Sequence, residues 1–228
     1  MSFRYYLYIS NAKVDMLLSQ IDPGYHRKRS AEFSVNLTFV GAKHTVESPA
    51  ADQVARLERV TRYLDDHADV GDVDAPGQFF RGLLPMQWGI VPTTNERALV
   101  YFGGRTEDTI VGLGGSPFHV IGASPPDPAS HAFGGSSTMP ALLDGLVEGD
   151  DTDLDPGVLN DGITGADAAD AQALASVHRA GTRLRGPVQN VEFLAKRLLS
   201  GPSPYPELDG RPGMTVLLGS PLYVALVD

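Results

Sequence analysis

The chain has 228 residues, 42% of them hydrophobic, with a formal net charge of −10 and no cysteine. That length suits one domain with a substantial core, and the missing thiols exclude disulfides, thiolate metal sites, iron–sulfur clusters and a cysteine nucleophile. No apolar run reaches the roughly 20 residues of a membrane span, and no basic footprint of a nucleic-acid binder is present, so neither a membrane nor a nucleic acid is expected as a partner.

The start of the chain lacks the apolar core and small-residue cleavage site of a secretory signal, which points to a cytoplasmic protein. Residues 3–9 read as a buried strand rich in aromatics. Val14, Leu17, Leu18 and Ile21 then fall on one apolar helical stripe. Ser10 or Asn11 is the expected N-cap, and Asp22-Pro23-Gly24 is the stop. Phe33, Val35, Leu37 and Phe39 alternate with polar residues and predict β-structure over 32–47. Ser48-Pro49 is a cap followed by proline at the first helical position. Val54, Leu57, Thr61 and Leu64 give the helix behind it an inner stripe. From Gln78 to Ile121 the pattern is mostly strand, over 79–84, 87–91, 98–102, 109–113 and 118–121. Turns at 92–95 and 103–107 suggest an antiparallel meander.

Composition changes at Ser124. Residues 124–165 are rich in Gly, Pro, Ser and Asp and read as an acidic excursion from a single domain spanning 1–228. Asp144 to Asp170 carries nine acids and no Lys or Arg, leaving the rest of the chain almost neutral. An Ala-rich helix is predicted over 166–180. A further helix is predicted over 189–199, with Val191, Leu194, Ala195 and Leu198 facing inward. Strands at 214–218 and 222–227 close the chain. The sum is an α+β fold: a mostly antiparallel sheet holding the N- and C-terminal strands, with three to four helices packed on it.

One motif recurs. Thr109-Ile-Val-Gly-Leu-Gly-Gly-Ser-Pro-Phe-His-Val-Ile121 and Met214-Thr-Val-Leu-Leu-Gly-Ser-Pro-Leu-Tyr-Val-Ala-Leu226 both place Gly-Ser-Pro after an apolar run. Each reads as strand, tight break, strand. The first copy is the better ligand loop. Backbone N–H groups of Gly114 and Gly115 could form an anion nest, with Ser116 adding a hydroxyl and His119 a titratable ring. The loop lacks both the P-loop and the dinucleotide pattern, and a tight corner between strands accounts for it better, the more so because the motif recurs. Arg105, at a hairpin tip, is a candidate anion hook. Trp88, flanked by Pro85 and Gly89, is a candidate pocket wall.

Other patterns fall short. Ser10-Asn-Ala-Lys13 has the spacing of serine–lysine acyl-transfer enzymes, but the companion motifs are missing. Asp151, Asp153 and Asp155 begin like a calcium loop, yet its glycine and glutamate positions hold Pro156 and Gly162. The six histidines show no metal-ligand spacing. No metal and no cofactor is expected.

The stretch from Phe3 to Leu18, Gly82-Leu-Leu-Pro-Met-Gln-Trp-Gly89, Leu99-Val-Tyr-Phe-Gly-Gly104, Val111-Gly-Leu-Gly-Gly-Ser116 and Leu218-Gly-Ser-Pro-Leu-Tyr-Val224 resemble an uncharacterised family of actinobacterial cytosolic proteins. The resemblance implies a bacterial, cytoplasmic, single-domain setting and carries over no activity, fold or site residue. Three functions then stand open. The first is a small-ligand-binding or regulatory module, with Arg105, Gly114, Gly115, Ser116, His119 and Trp88 lining one site for an anionic small molecule. The second is a hydrolase or transferase on an anionic or phosphorylated small molecule, with His119 as general acid or base. The third is an interaction module that offers its acidic 144–170 segment to a protein partner.

Overall fold

A computed structural model of the chain describes residues 3–22, 49–92, 98–122, 166–206, 209 and 211–227. They divide into two compact units, Met1–Ile9 with Val70–Asp228, and Ser10–Asp69. In chain order the strands are β1 (Tyr5–Ile9), β2 (Val70–Gly71), β3 (Phe79–Pro92), β4 (Ala98–Arg105), β5 (Thr109–Gly115), β6 (Gln189–Pro202) and β7 (Thr215–Leu226). The helices are α1 (Asn11–Ile21), α2 (Pro49–His67) and α3 (Ala166–Arg183).

In the larger unit the sheet closes on itself. β7 pairs with β5, β5 with β4, β4 with β3, β3 with β6, and β6 with β7 again, giving a five-stranded barrel. Its seams are antiparallel except β5–β7, which is parallel. β1 lies antiparallel beside the second half of β7, and β2 lies parallel beside the start of β3. A mixed, closed barrel thus replaces the expected mostly antiparallel sheet with helices packed on it. The cause is β6. Residues 189–199 form a strand rather than a helix, and that strand joins β3 to β7.

Alternation along each strand fills the barrel. Phe80, Leu84 and Met86 of β3, Val100 and Phe102 of β4, Val111 and Leu113 of β5, Val191 and Phe193 of β6, and Leu217 of β7 form one buried cluster with Tyr8. Five strands enclose less space than the eight that leave room for a small ligand, so side chains occupy the lumen. Rings and glycines interlock there. A Cβ on Gly82 would come within 2.6 Å of the Phe193 ring, and one on Gly219 within 2.5 Å of the Phe80 ring. The outer face of β4, β5 and β7 offers Leu99, Tyr101, Val216 and Leu218, and α3 covers it with Leu174, Val177 and Ala180.

The repeated motif lies in two neighbouring parallel strands, with Thr109 opposite Thr215 and Leu113 opposite Gly219. The copies then diverge. Ser116-Pro117 opens a single 3-10 turn over Pro117–His119, followed by a lone bridge from Val120 to Tyr8. In the second copy no break occurs, and β7 runs through Gly219-Ser220-Pro221 with a register shift against β6. Pro221 has no N–H to donate, and it falls where the pairing to β5 has ended and that to β1 has not begun. Arg4 reaches across β7 to Glu192 of β6 with Nε at 2.9 Å and a second nitrogen at 2.6 Å, and Tyr223 donates to the same carboxylate at 2.7 Å. Burial opposes the charge on Glu192, but these donors hold its pKa below the usual carboxylate value.

The smaller unit holds α1 and α2, packed on each other. Val14 and Leu18 on α1 and Leu57 and Leu64 on α2 are buried as the spacing predicts, while Leu17, Ile21, Val54 and Thr61 are half-buried and Val60, outside the predicted stripe, is fully buried. Arg56 joins the two helices through Asp15 at 2.6 Å, and Arg59 through Asp22 at 3.1 Å. Ser10 occupies the N-cap position without a side-chain capping bond. Ser48 and the β-structure expected over 32–47 lie outside the described residues, as does the excursion at 124–165. No helix among the described residues is long and apolar enough to cross a membrane.

Burial lowers the Lys13 amine from 10.5 to about 8. Below pH 8 Lys13 is charged in both folded and unfolded chains, and the folded one bears the desolvation penalty. As pH rises through 8 the folded amine loses its proton while the unfolded one keeps it to 10.5, so stability rises across that window. Lys13→Met is therefore expected to raise the melting temperature at pH 7, with the gain shrinking between pH 8 and 10.5. A gain that stays constant over that range, or a loss at pH 7, would contradict the burial of a charged amine.

Candidate functional site

The residues singled out in the sequence occupy different places on the barrel. Gly114 and Gly115 end β5, buried rather than looped out. The space a Cβ would take on Gly115 is filled by the Tyr8 ring, which explains the glycine without any ligand. Ser116 caps the 3-10 turn, accepting from the Phe118 amide at 3.4 Å. His119 is half-buried and meets Tyr8 edge-on, with centroids 5.8 Å apart. Trp88 on β3 stacks on Phe102 at 5.8 Å, and its Nε1 donates to Gln189 Oε1 at 3.1 Å. Its indole thus packs against the core.

Arg105 stands apart from that group. On β4, Val100 pairs with Gly115 and Arg105 with Ile110. Five residues of strand, roughly 16 Å at about 3.3 Å per residue, separate the Arg105 end of the ladder from the Ser116 end.

At the Arg105 end the β4–β5 hairpin and the β6–β7 loop border a shallow, open hollow of about 370 Å³, lined by Arg105, Thr106, Glu107, Asp209, Arg211 and Met214. The hairpin tip is rigidly tied. Thr106 Oγ1 accepts from the amides of Asp108 at 3.2 Å and Thr109 at 2.9 Å, and donates to Asp74 at 2.6 Å. Arg211 reaches from the loop to Glu107 at 2.8 Å and to Asp108 at 3.6 Å. Asp209 is 2% exposed. Its Oδ1 meets His178 Nε2 of α3 at 2.9 Å, and the Tyr205 ring lies against the same imidazole at 5.2 Å. Its Oδ2 is buried without a hydrogen-bond partner. Arg105 donates only to the Asp209 backbone carbonyl, at 3.5 Å, and no carboxylate among the described residues pairs with it.

The electrostatics follow from that inventory. The Arg211 charge is answered by Glu107 and Asp108. Arg105 is exposed, has no carboxylate partner among the described residues, and borders the hollow. A guanidinium presents a planar fork that suits carboxylate or phosphate oxygens. His178 and Asp209 escape a sequence reading because they stand 31 residues apart on a helix and a loop. The only hint was an aspartate amid the turn residues that follow Pro202, Pro204 and Pro206.

The structure therefore defines a small mixed β-barrel, one outer face covered by a helix, with a charged hollow at its β4–β5 end. The chain belongs to DUF7019, a family of unknown function whose model matches residues 4–228. Neither the curated proteins nor the solved structures contain a match to it.

Proposed function

We propose that this protein is a small-ligand-binding module that holds an anionic small molecule in the hollow between the β4–β5 hairpin and the β6–β7 loop. The carrying observation is Arg105, a guanidinium with no carboxylate partner among the described residues, at the wall of a hollow of about 370 Å³. That volume falls within the roughly 300–1,000 Å³ of typical small-ligand sites. The barrel interior is filled by side chains, so the reading places the ligand outside the lumen. A bacterial, cytoplasmic setting goes with this reading and rests on the sequence resemblance, as does an actinobacterial origin.

The test is an NMR titration with inorganic phosphate and with succinate. Amide shifts are expected to cluster between Arg105 and Asp108 and between Asp209 and Met214. Arg105→Gln should weaken binding about tenfold or more, the loss typical of a charge-assisted hydrogen bond. Shifts scattered over the surface, or an Arg105→Gln variant that binds as well as the parent, would sink the proposal.

A further inference from the structure

The two ends of the barrel differ in kind. Arg105, Glu107, Asp108 and Arg211 gather at one end. At the other, β3, β5 and β7 finish while β1, β4 and β6 begin. Strand alternation still turns side chains toward the core there. Ile90 stands opposite Val100 of the core, and Tyr5 opposite Leu226, which packs on the core. Yet Ile90 is 60% exposed and Tyr5 69%. Phe3 precedes β1, Phe118 lies in the 3-10 turn after β5, and Ile121 donates its amide to the Leu7 carbonyl at 2.8 Å, so all three belong to the same end and are exposed with them. Among the described residues of this unit eight large hydrophobics are exposed, and these five collect at one mouth, which makes a patch of them rather than a scatter. Five strands about 4.8 Å apart close a mouth only about 10 Å wide, so side chains around its rim are neighbours.

We infer that this mouth is a self-association surface, covered by the same mouth of a second copy of the chain across a two-fold axis. Size is the first argument. The three rings alone expose on the order of 400 Å². Ile90 and Ile121 take the patch to the upper end of the roughly 300–600 Å² that the largest patch of a typical monomer reaches. That is most of the way to the about 800 Å² that each partner gives to a standard interface, whose polar rim supplies the remainder. Charge is the second argument. Arg4, between Phe3 and Tyr5, turns to the outer wall and is answered by Glu192 at 2.6 Å, so it does not oppose the meeting of two copies. A chain of net charge −10 is repelled by an anionic lipid surface, whereas an apolar patch is complementary to itself across a two-fold axis. Mouth-to-mouth pairing also leaves each Arg105 hollow at an outer end, open to its ligand.

Sedimentation velocity of the full chain over a series of concentrations tests this. The expected result is a species of twice the 24.3 kDa chain mass that dissociates on dilution. Tyr5→Glu and Ile90→Glu, made separately, should each raise the dimer dissociation constant at least about a hundredfold, since a two-fold axis counts every lost contact twice. Leu83→Gln alters a comparably exposed residue on the outer wall, opposite Glu192, and should leave the dimer as tight as before. An unchanged far-UV circular dichroism spectrum separates loss of the dimer from loss of the fold. A parent chain that stays monomeric at every concentration, or a dimer that either glutamate substitution leaves intact, would overturn the inference. So would flotation of the monomer with phosphatidylcholine vesicles, which would give the patch to a lipid surface instead.

Discussion

Phe193→Ala is expected to destabilise the barrel by about 3–5 kcal/mol, the usual cost of emptying a buried aromatic site. Leu198→Ala should cost less than about 1 kcal/mol, as at most surface positions. Phe193 is fully buried, its ring edge-on to Phe80 at 5.8 Å, and it stands opposite Gly82, whose missing Cβ makes room for it. Leu198 is 37% exposed. The helical reading of 189–199 demands the reverse, since it turns Leu198 inward and Phe193 out. Urea unfolding followed by Trp88 fluorescence measures the difference directly. Trp88 is the only tryptophan in the chain and stacks on Phe102 of the same barrel. A Leu198→Ala variant as damaged as Phe193→Ala would mean that β6 does not close the barrel.

That pair of substitutions marks where the sequence stops being legible. The run Val191-Glu-Phe-Leu-Ala-Lys-Arg-Leu198 satisfies both periods. Val191, Leu194, Ala195 and Leu198 make a helical stripe, while Val191, Phe193 and Ala195 alternate as a strand. Local pattern cannot choose between them. The choice is made by β3 and β7, which pair with this segment from both sides across long sequence separations. Helices that rest on their own period, α1 and α2, were readable because Val14, Leu17, Leu18 and Ile21, or Val54, Leu57, Thr61 and Leu64, mix odd and even spacings that a single strand face does not give. Of the candidate site, Arg105 was legible as a charge at a hairpin tip. Asp209 was not, because its burial and its contact with His178 arise only when the β6–β7 loop folds against α3. Glycine was the least informative signal. The same residue at 112, 114 and 115 suits an anion nest or a strand crossed by a ring, and only the neighbours tell the two apart.

Gly112 provides the second large effect. The Tyr101 hydroxyl occupies the space that its Cβ would take, with Val177 Cγ1 at 2.7 Å and Tyr101 Cζ at 3.0 Å from the same point. Tyr101 is fully buried and donates to the Val177 carbonyl of α3 at 3.0 Å, so ring, helix and strand meet at one notch. Burial also pushes the Tyr101 pKa well above the usual phenol value, keeping the hydroxyl a donor at any working pH. Gly112→Ala should therefore cost about 1–3 kcal/mol, the price of overpacking a filled core. Tyr101→Phe alone should cost about 1 kcal/mol for the lost hydrogen bond. The two changes act on one contact, so their effects should not add. In the Tyr101→Phe background Gly112→Ala should lose much of its penalty, with a coupling within the roughly 0.5–3 kcal/mol seen for residues in contact. Strict additivity in the same urea experiment would show that α3 does not seat on the barrel through this notch. The docking of the helix would then rest on the apolar packing of Leu174, Val177 and Ala180 against Leu99, Val216 and Leu218.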